Sequence, residues 1–378
     1  MKKHLFTGSI FLAYLLFFSN FSAIGVVMDT RLFVVILSLI TLAALIIYVY
    51  KVRRPCSYFL LFFSLAVTFL SIKEYFLTYT ENEIVFQNDG YDFYGTLYSP
   101  KSDESNCLVV FLHGSGSESR KEYAFHARQL ARNGITGFAY DKRGSGKSGG
   151  NTYDVGYNGY AKDAIAGIEK IKTQRNFDKV GLFAISEGEW VSLIVDSLYP
   201  IDFIVMVSAS GTSPLQQTQR EMTYRLERKG FDQSDIMEAK DLYNEILTFE
   251  NDSIERKRIQ EKIKRSKDKP WFESAEDFSE EQYYYPWWNK VMNFNPEKYL
   301  EGTTTDILVL VGKENDSYPP AETVNNFRKY RNIQTITFEK GDHSLLDWKF
   351  GKGIPPPFFA KGYLQTYTEW IVQKCNNN

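Results

Sequence analysis

The sequence contains few residues of the types that build metal sites and disulfide frameworks. Among 378 residues there are three cysteines and four histidines. The wide spacing of Cys56, Cys107 and Cys375 excludes a disulfide framework and a cysteine-rich zinc site. A formal net charge of -2 argues against a nucleic-acid binder. Internal repeats and low-complexity tracts are also missing, and 44% apolar residues is ordinary globular usage.

Charge and apolar residues are unevenly distributed along the chain. Residues 1–78 carry seven Lys and Arg against two acidic residues, and residues 79–378 carry 37 against 44. The basic part holds three apolar runs, at about 5–28, 32–50 and 56–72. Each is long enough for a helix to cross a bilayer, so we expect about three transmembrane helices. The first run could instead be a cleaved signal peptide, and this alternative stays open.

The loop charges predict an orientation for these helices. Lys2 and Lys3 precede the first run, and three basic residues within 51–54 separate the second from the third. The positive-inside rule places both basic segments in the cytoplasm. Three crossings then put residues 79–378 on the non-cytoplasmic side.

Residues 79–378 alternate between strand and helix patterns. A hairpin is expected around Asn88-Asp89-Gly90, followed by apolar strands and amphipathic helices in turn. This alternation predicts an α/β fold with a mostly parallel, doubly wound sheet. The expected strands are 83–89, 93–99, 107–112, 135–140, 180–185, 203–207, 307–311 and 333–338. The expected helices after residue 150 are 161–171, 190–198, 321–330 and 361–373.

Segment 212–300 interrupts the alternation. Its first half has helical spacing, and its second half is rich in aromatic residues that include Trp287 and Trp288. We expect an inserted helical cap over the strand ends, in which these two tryptophans either line a substrate pocket or simply pack in a core.

A serine lies where a strand meets a helix. Ser186 directly follows strand 180–185, with Ala184 and Gly188 two positions before and after it. Small residues at these positions allow the sharp turn of a nucleophile elbow, although Ala184 departs from the usual glycine. Ser186 is therefore the candidate nucleophile.

The base and acid follow from chain order. His343 lies in a loop after the last strand. Of the other histidines, His4 lies in the predicted membrane segment, His113 at the end of a strand and His126 in a helix. We expect His343 to be the base, oriented by an acid that follows strand 307–311. Asp316 is the first choice and Glu314 the second.

Two backbone N–H groups are expected to form an oxyanion hole. Glu187 follows the nucleophile at a helix N-terminus. The second donor is expected from Ser115, in the loop His113-Gly114-Ser115-Gly116 after strand 107–112.

These motifs resemble those of the α/β-hydrolase superfamily, particularly bacterial serine-aminopeptidase-like and dienelactone-hydrolase-like esterases. The resemblance spans residues 93–345 and is carried by FYGTLYSP, VVFLHGSG, GFAYDKRGSGKSGG, VGLFAISEGEW, DILVLVGKENDSYPP and GDHSL. It implies an α/β-hydrolase fold with a cap at 212–300 and a triad of Ser186, Asp316 and His343. It also implies a structural role for the glycine-rich loop between Asp141 and Ser148.

That loop also fits a nucleotide-binding pattern. Gly144 to Gly149 reads Gly-x-Gly-x-x-Gly, but a loop rather than a helix follows it. We therefore expect no nucleotide, no cofactor and no metal.

The leading hypothesis is a membrane-anchored serine hydrolase that cleaves small-molecule carboxylic esters through an acyl-enzyme. A peptidase, an amidase or a thioesterase of the same fold is the alternative within the class. A non-catalytic binding protein on a hydrolase scaffold is the rival outside it, because Glu187 puts a carboxylate beside the nucleophile.

Overall fold

The computed structural model describes residues 31–52, 55–76, 79–101, 106–249, 253–275, 290–349, 351–352 and 357–376. The first apolar run (5–28) lies outside these residues, as do Trp287 and Trp288. The predictions made for them therefore remain predictions.

Two helices precede the sheet and coincide with the second and third apolar runs. Helix α1 spans Arg31–Val52 and helix α2 spans Pro55–Phe76. They pack against each other, and the Thr68 hydroxyl of α2 donates to the Ser38 carbonyl of α1 at 3.3 Å. Within the described ranges, the structure contains no helix that combines the length and the apolar character needed to cross a bilayer. The predicted transmembrane helices thus find no support in this structure.

The remaining chain forms an eight-stranded sheet in the order β1-β2-β4-β3-β5-β6-β7-β8. The pairs β1–β2 and β2–β4 are antiparallel, and the other pairs are parallel. The α/β class and the mostly parallel sheet are therefore confirmed. The strands are β1 Tyr79–Asn88, β2 Tyr91–Pro100, β3 Cys107–Leu112, β4 Thr136–Tyr140, β5 Lys179–Ile185, β6 Phe203–Val207, β7 Asp306–Gly312 and β8 Ile333–Phe338.

Helices cover both faces of the sheet because the central strands are apolar on both sides. Every residue of β3, β4 and β6 is buried, and two apolar clusters lie on opposite faces. The covering helices are α3 Arg120–Arg132, α4 Tyr157–Lys172, α5 Gly188–Leu198, α11 Pro320–Phe327 and α12 Tyr363–Asn376.

The described part of the segment between β6 and β7 is mostly helical. Its helices are α6 Pro214–Lys229, α7 Gln233–Thr248, α8 Ser253–Ser266, the short α9 Phe272–Ala275 and α10 Pro296–Gly302. Two short strands, β9 Leu346–Asp347 and β10 Phe358–Phe359, pair after β8. The helix α6 begins with Pro214 after a capping box formed by Ser213 and Gln216, so its start is set locally by sequence.

One disulfide joins the sheet to the C-terminal helix. Cys107, the first residue of β3, is bonded to Cys375 in α12, 268 residues later. The wide cysteine spacing excluded a disulfide framework but hid this single bridge. The two residues meet because α12 packs across the sheet face that contains Cys107.

Candidate active site

The nucleophile elbow forms at the carboxyl end of β5. Ser186 has a φ of 52°, a left-handed conformation that costs a non-glycine residue about 1–3 kcal/mol. Its N–H donates to the Val207 carbonyl of the neighbouring strand at 2.9 Å, which ties the strained turn to the sheet. The turn directs Ser186 away from the strand and starts helix α5 at Gly188.

Small residues on both sides of Ser186 are required by close contacts. A Cβ on Gly188 would lie 2.9 Å from the Leu112 carbonyl oxygen and 3.1 Å from that of His113. It would also lie 3.3 Å from the Cβ of Ala184. The spacing therefore accommodates alanine at position 184, and glycine at 188 lets the helix start approach the loop after β3.

The structure brings His343 to Ser186. Its Nε2 lies 3.1 Å from the Ser186 Oγ, within hydrogen-bonding distance. The loop that carries it is fixed by Ser208, whose hydroxyl donates to the His343 carbonyl at 2.6 Å, and by the carboxylate of Asp342. That carboxylate accepts hydrogen bonds from the backbone N–H groups of Ser344 and Leu346. No sequence pattern pointed to Ser208.

The third position differs from the sequence expectation. Asn315, not Asp316, contacts the imidazole, with its Oδ1 at 3.2 Å from the His343 Nδ1. The carboxylate of Asp316 instead bonds the ammonium of Lys352. Glu314, the second choice, pairs with Lys340 at 2.8 Å on the surface. An amide therefore occupies the position where a carboxylate was expected, because Lys352 holds the Asp316 carboxylate by charge attraction.

Two glycines allow the Asn315 and His343 loops to meet. A Cβ on Gly312, at the end of β7, would lie 2.0 Å from the carbonyl oxygen of Gly341. In this tight approach the Glu314 N–H donates to the Gly341 carbonyl at 2.9 Å. The pairing of the two backbones sets the position of Asn315 relative to His343.

The loop after β3 is fixed at Gly114 from both sides. Its N–H donates to the Glu118 carboxylate at 2.7 Å and lies 2.9 Å from the Tyr123 hydroxyl oxygen. Its carbonyl accepts a hydrogen bond from the Lys142 ammonium at 2.8 Å. The Gly114 N–H is thus engaged within the protein. The next residue, Ser115, is exposed, and its predicted role as an oxyanion donor stays a prediction.

The carboxylate of Glu187 is neutralised by a buried lysine. Glu187 and Lys142 form an ion pair at 2.7 Å, and both side chains are about 5% exposed or less. Burial raises the pKa of Glu187, and the attraction of Lys142 opposes that rise. Lys142 therefore joins the elbow to the Gly114 loop and balances the negative charge beside Ser186.

A second buried carboxylate, Glu189, anchors the turn after β6. It accepts hydrogen bonds from the backbone N–H groups of Ser210 and Gly211 at 2.7 and 2.8 Å. Burial raises the pKa of Glu189 to about 7 against the lowering effect of these hydrogen bonds. Glu189 thereby fixes the segment from which the helices between β6 and β7 begin.

The two other described histidines are structural. His113 lies 2.6 Å from the Tyr140 carbonyl through Nε2, and burial lowers its pKa to about 3, so it is a neutral donor. His126 lies 3.0 Å from the Tyr367 hydroxyl, and burial lowers its pKa to about 3 as well.

The glycine-rich loop folds around an aspartate. The Asp141 carboxylate accepts the backbone N–H groups of Arg120 and Lys147, both at 2.9 Å. A Cβ on Gly146 would lie within 2.4 Å of that carboxyl group. The loop N–H of Lys147 therefore binds a protein carboxylate rather than pointing to solvent. Within the described ranges, no three His, Cys, Asp or Glu side chains are grouped as metal ligands.

A comparison with known protein families finds a hydrolase family over part of the chain. A sequence model of the family described as serine aminopeptidase S33, a hydrolase family, matches residues 103–243. A search of curated proteins finds no significant match.

Solved structures with a similar fold are numerous. The esterase Est1E from Butyrivibrio proteoclasticus, with bound ferulic acid, superposes with a TM-score of 0.51 at 15% identity, over 78% of this chain and 100% of its own. An esterase from Pyrococcus furiosus superposes with a TM-score of 0.49 at 15% identity, over 78% of this chain and 90% of its own. The esterase EaEST from Exiguobacterium antarcticum gives 0.48 at 15% identity, over 78% and 100%.

The superposition on Est1E establishes the fold. The hydrolase family match includes the nucleophile elbow and the loop after β3. The protein is therefore an enzyme of the serine-hydrolase type, built on the α/β-hydrolase fold.

Proposed function

We propose that the protein hydrolyses carboxylic esters, with Ser186 as nucleophile and His343 as general base. The observation that carries the proposal is the 3.1 Å contact between Ser186 Oγ and His343 Nε2 at a strained strand-to-helix turn. Such a turn exposes the hydroxyl, and a hydrogen-bonded imidazole can take its proton.

The reaction follows from these contacts. Ser186 Oγ bonds to the ester carbonyl carbon as its proton passes to His343 Nε2. The carbonyl oxygen gains the negative charge, which we expect the N–H groups of Glu187 and Ser115 to stabilise. The C–O bond to the alcohol breaks, and His343 returns the proton to the departing oxygen. Water then attacks the acyl-enzyme by the same route and releases the acid.

The Glu187–Lys142 ion pair supports catalysis over a purely binding role. An unpaired carboxylate next to the forming oxyanion would oppose its charge. Lys142 balances that carboxylate at 2.7 Å, so the objection that Glu187 raises to an active site is weakened.

Ester hydrolysis is tested by labelling and turnover on the purified protein. Wild type should bind a fluorophosphonate probe covalently and hydrolyse p-nitrophenyl esters, and the Ser186→Ala variant should do neither while keeping its circular dichroism spectrum. Aminoacyl p-nitroanilides and acyl thioesters, assayed side by side, distinguish amidase and thioesterase activity. Labelling that persists in Ser186→Ala would refute the assignment.

We further propose that helices α1 and α2 keep the enzyme at a membrane. They expose large apolar side chains, among them Phe62 at 71% and Phe59 and Phe69 at 65%. Such surfaces are costly in water and favourable against lipid. Carbonate-washed membranes should retain the full chain, and replacing these three phenylalanines with serine should release it. Full release of wild type by carbonate would contradict the proposal.

The disulfide favours a location of the catalytic domain outside the cytoplasm. Bonds such as Cys107–Cys375 form and persist in oxidising compartments and are rare in the cytosol. A reporter that is active only outside the cytoplasm, fused after residue 378, should work, and a cytoplasm-specific reporter should be silent. The reverse pattern would place the domain in the cytoplasm.

A further inference from the structure

The hydrogen bonds of Asn315 identify which of its side-chain atoms meets the imidazole. Its Oδ1 accepts the backbone N–H of Ser317 at 2.9 Å and lies 3.3 Å from that of Tyr318. Since N–H groups donate only to an acceptor, the atom there is the amide oxygen and not the nitrogen. The same oxygen lies 3.2 Å from His343 Nδ1.

This assignment fixes the protonation of the imidazole. Because the Asn315 oxygen can only accept, the neutral His343 must carry its hydrogen on Nδ1 and donate it. The lone pair then lies on Nε2, 3.1 Å from the Ser186 Oγ. The amide therefore performs the orienting task that a carboxylate performs in a serine triad.

Burial and local backbone contacts hold Asn315 in this place. The residue is 1% exposed, and its N–H donates to the Gly312 carbonyl at 3.1 Å. The neighbouring Asp316 has a side chain 35% exposed and is bonded to Lys352. Asp316 is therefore the more exposed of the two and pairs with a lysine, whereas Asn315 is buried and contacts His343.

We propose that Asn315 is the residue that positions His343, so that this hydrolase works with an uncharged orienting group while Asp316 acts only through space. The proposal rests on the proposed function, because it assigns a role in the same catalytic centre.

An uncharged partner changes the electrostatics of the base. Burial lowers the pKa of His343, and the carboxylates of Asp316 and Asp342 raise it to a smaller extent. Asp316 acts on the imidazole through space from the loop after β7, and Asp342 lies on the histidine's own loop. A carboxylate in contact at position 315 would add a stronger stabilisation of the imidazolium, typically 1–3 pKa units. The wild-type base thus stays neutral, and active, to a lower pH than a variant with a contacting carboxylate.

The experiment compares Asn315→Asp and Asn315→Ala with Asp316→Asn, a matched change at the adjacent residue. The readouts are the pH profile of kcat/KM for p-nitrophenyl acetate and the unfolding temperature of each variant. Asn315→Asp, which keeps the acceptor oxygen, should move the acid limb to higher pH by about one unit or more. Asn315→Ala should lose about 10²-fold or more in kcat, and Asp316→Asn less than about tenfold.

The reverse ranking overturns the proposal: a large loss in Asp316→Asn with a mild effect in both Asn315 variants. An acid limb that does not move in Asn315→Asp overturns it as well, and this variant decides if Asn315→Ala does not fold.

The imidazole can also be titrated directly by NMR, with His343→Gln to assign its signal. A higher pKa of His343 in Asn315→Asp supports the proposal even if no ester is turned over. Loss of all labelling and turnover in wild type would refute the proposed function alone, whereas an unchanged His343 titration would refute the role of Asn315 alone.

Discussion

Two loops place charge near Ser186 and His343, the proposed nucleophile and base, and they neutralise it differently. In the elbow loop, which we define as residues 186–188, Glu187 pairs with Lys142, and both side chains are nearly inaccessible. In the acid loop, residues 312–318, Asp316 pairs with Lys352, whose side chain is 66% exposed. The first pair lies inside the protein next to Ser186, and the second lies at its surface.

The difference between the two pairs shows at which site a neutral side chain can take the role of a charged one. A buried carboxylate needs a partner because burial removes the water that would otherwise stabilise its charge. A surface carboxylate is solvated with or without its lysine. The elbow loop therefore needs its buried lysine. In the acid loop, the Asp316 carboxylate pairs with Lys352 near the surface, and the amide of Asn315 makes the contact with His343.

Lys142→Met tests the buried pair and should have the largest effect. Removing the ammonium leaves Glu187 buried without a partner and frees the Gly114 carbonyl, so we expect a loss of about 3 kcal/mol in the free energy of unfolding. Urea denaturation measures it. The double variant with Glu187→Gln should recover part of the loss, and equal losses in both would show that the pair is not coupled.

Glu189 gives a pH-dependent effect of intermediate size. Its pKa in the folded protein, about 7, is above the ordinary value of 4.5, so ionisation destabilises the fold. The stabilisation from Glu189 is complete below pH 4.5 and is lost as the pH rises through 7. Between pH 5.5 and 7, the free energy of unfolding of wild type should fall by roughly 2 kcal/mol more than that of Glu189→Gln. Parallel pH dependence in the two proteins would contradict this.

Lys352→Met should have the smallest effect. Exposed ion pairs contribute about 0–1 kcal/mol, so the free energy of unfolding should change by no more than about 1 kcal/mol. Burial raises the pKa of Asp316, but the Lys352 contact outweighs this and lowers it, so the variant should titrate Asp316 at higher pH. A loss as large as that of Lys142→Met would remove the distinction between the two loops.

The fold and the strand-to-helix turn at Ser186 could be predicted because both follow from local sequence. Continuous apolar runs define the buried strands, and Cys107–Leu112, Phe203–Val207 and Ile333–Phe338 have the bounds that their patterns indicate. Ser186 follows from the strand end and its small neighbours. His343 follows from elimination among four histidines.

The acid loop could not be predicted to the residue. Asn315 and Asp316 are adjacent, and chain order places the orienting group only within a loop. What separates them is the approach of Gly312 to Gly341 and the position of Lys352, 36 residues after Asp316. The chemistry of a triad favoured a carboxylate and therefore Asp316, but tertiary contacts place Asn315 next to His343.

The partners of Glu187 and Cys107 could not be predicted from the sequence for a related reason. Lys142 is 45 residues from Glu187 along the chain, and Cys375 is 268 residues from Cys107. Neither pairing leaves a local pattern. A single sequence carries no sign of which distant side chain faces which.

The Cys107–Cys375 bond has a consequence for proteolysis. The closed covalent loop contains Ser186, Asn315 and His343, together with all the helices between β6 and β7. A protease that cuts once anywhere between the two cysteines therefore produces two fragments that stay joined. Such a nicked enzyme migrates as one species until it is reduced, and its serine and histidine remain on connected pieces. A single cut by a protease can thus open the polypeptide without separating Ser186 from His343.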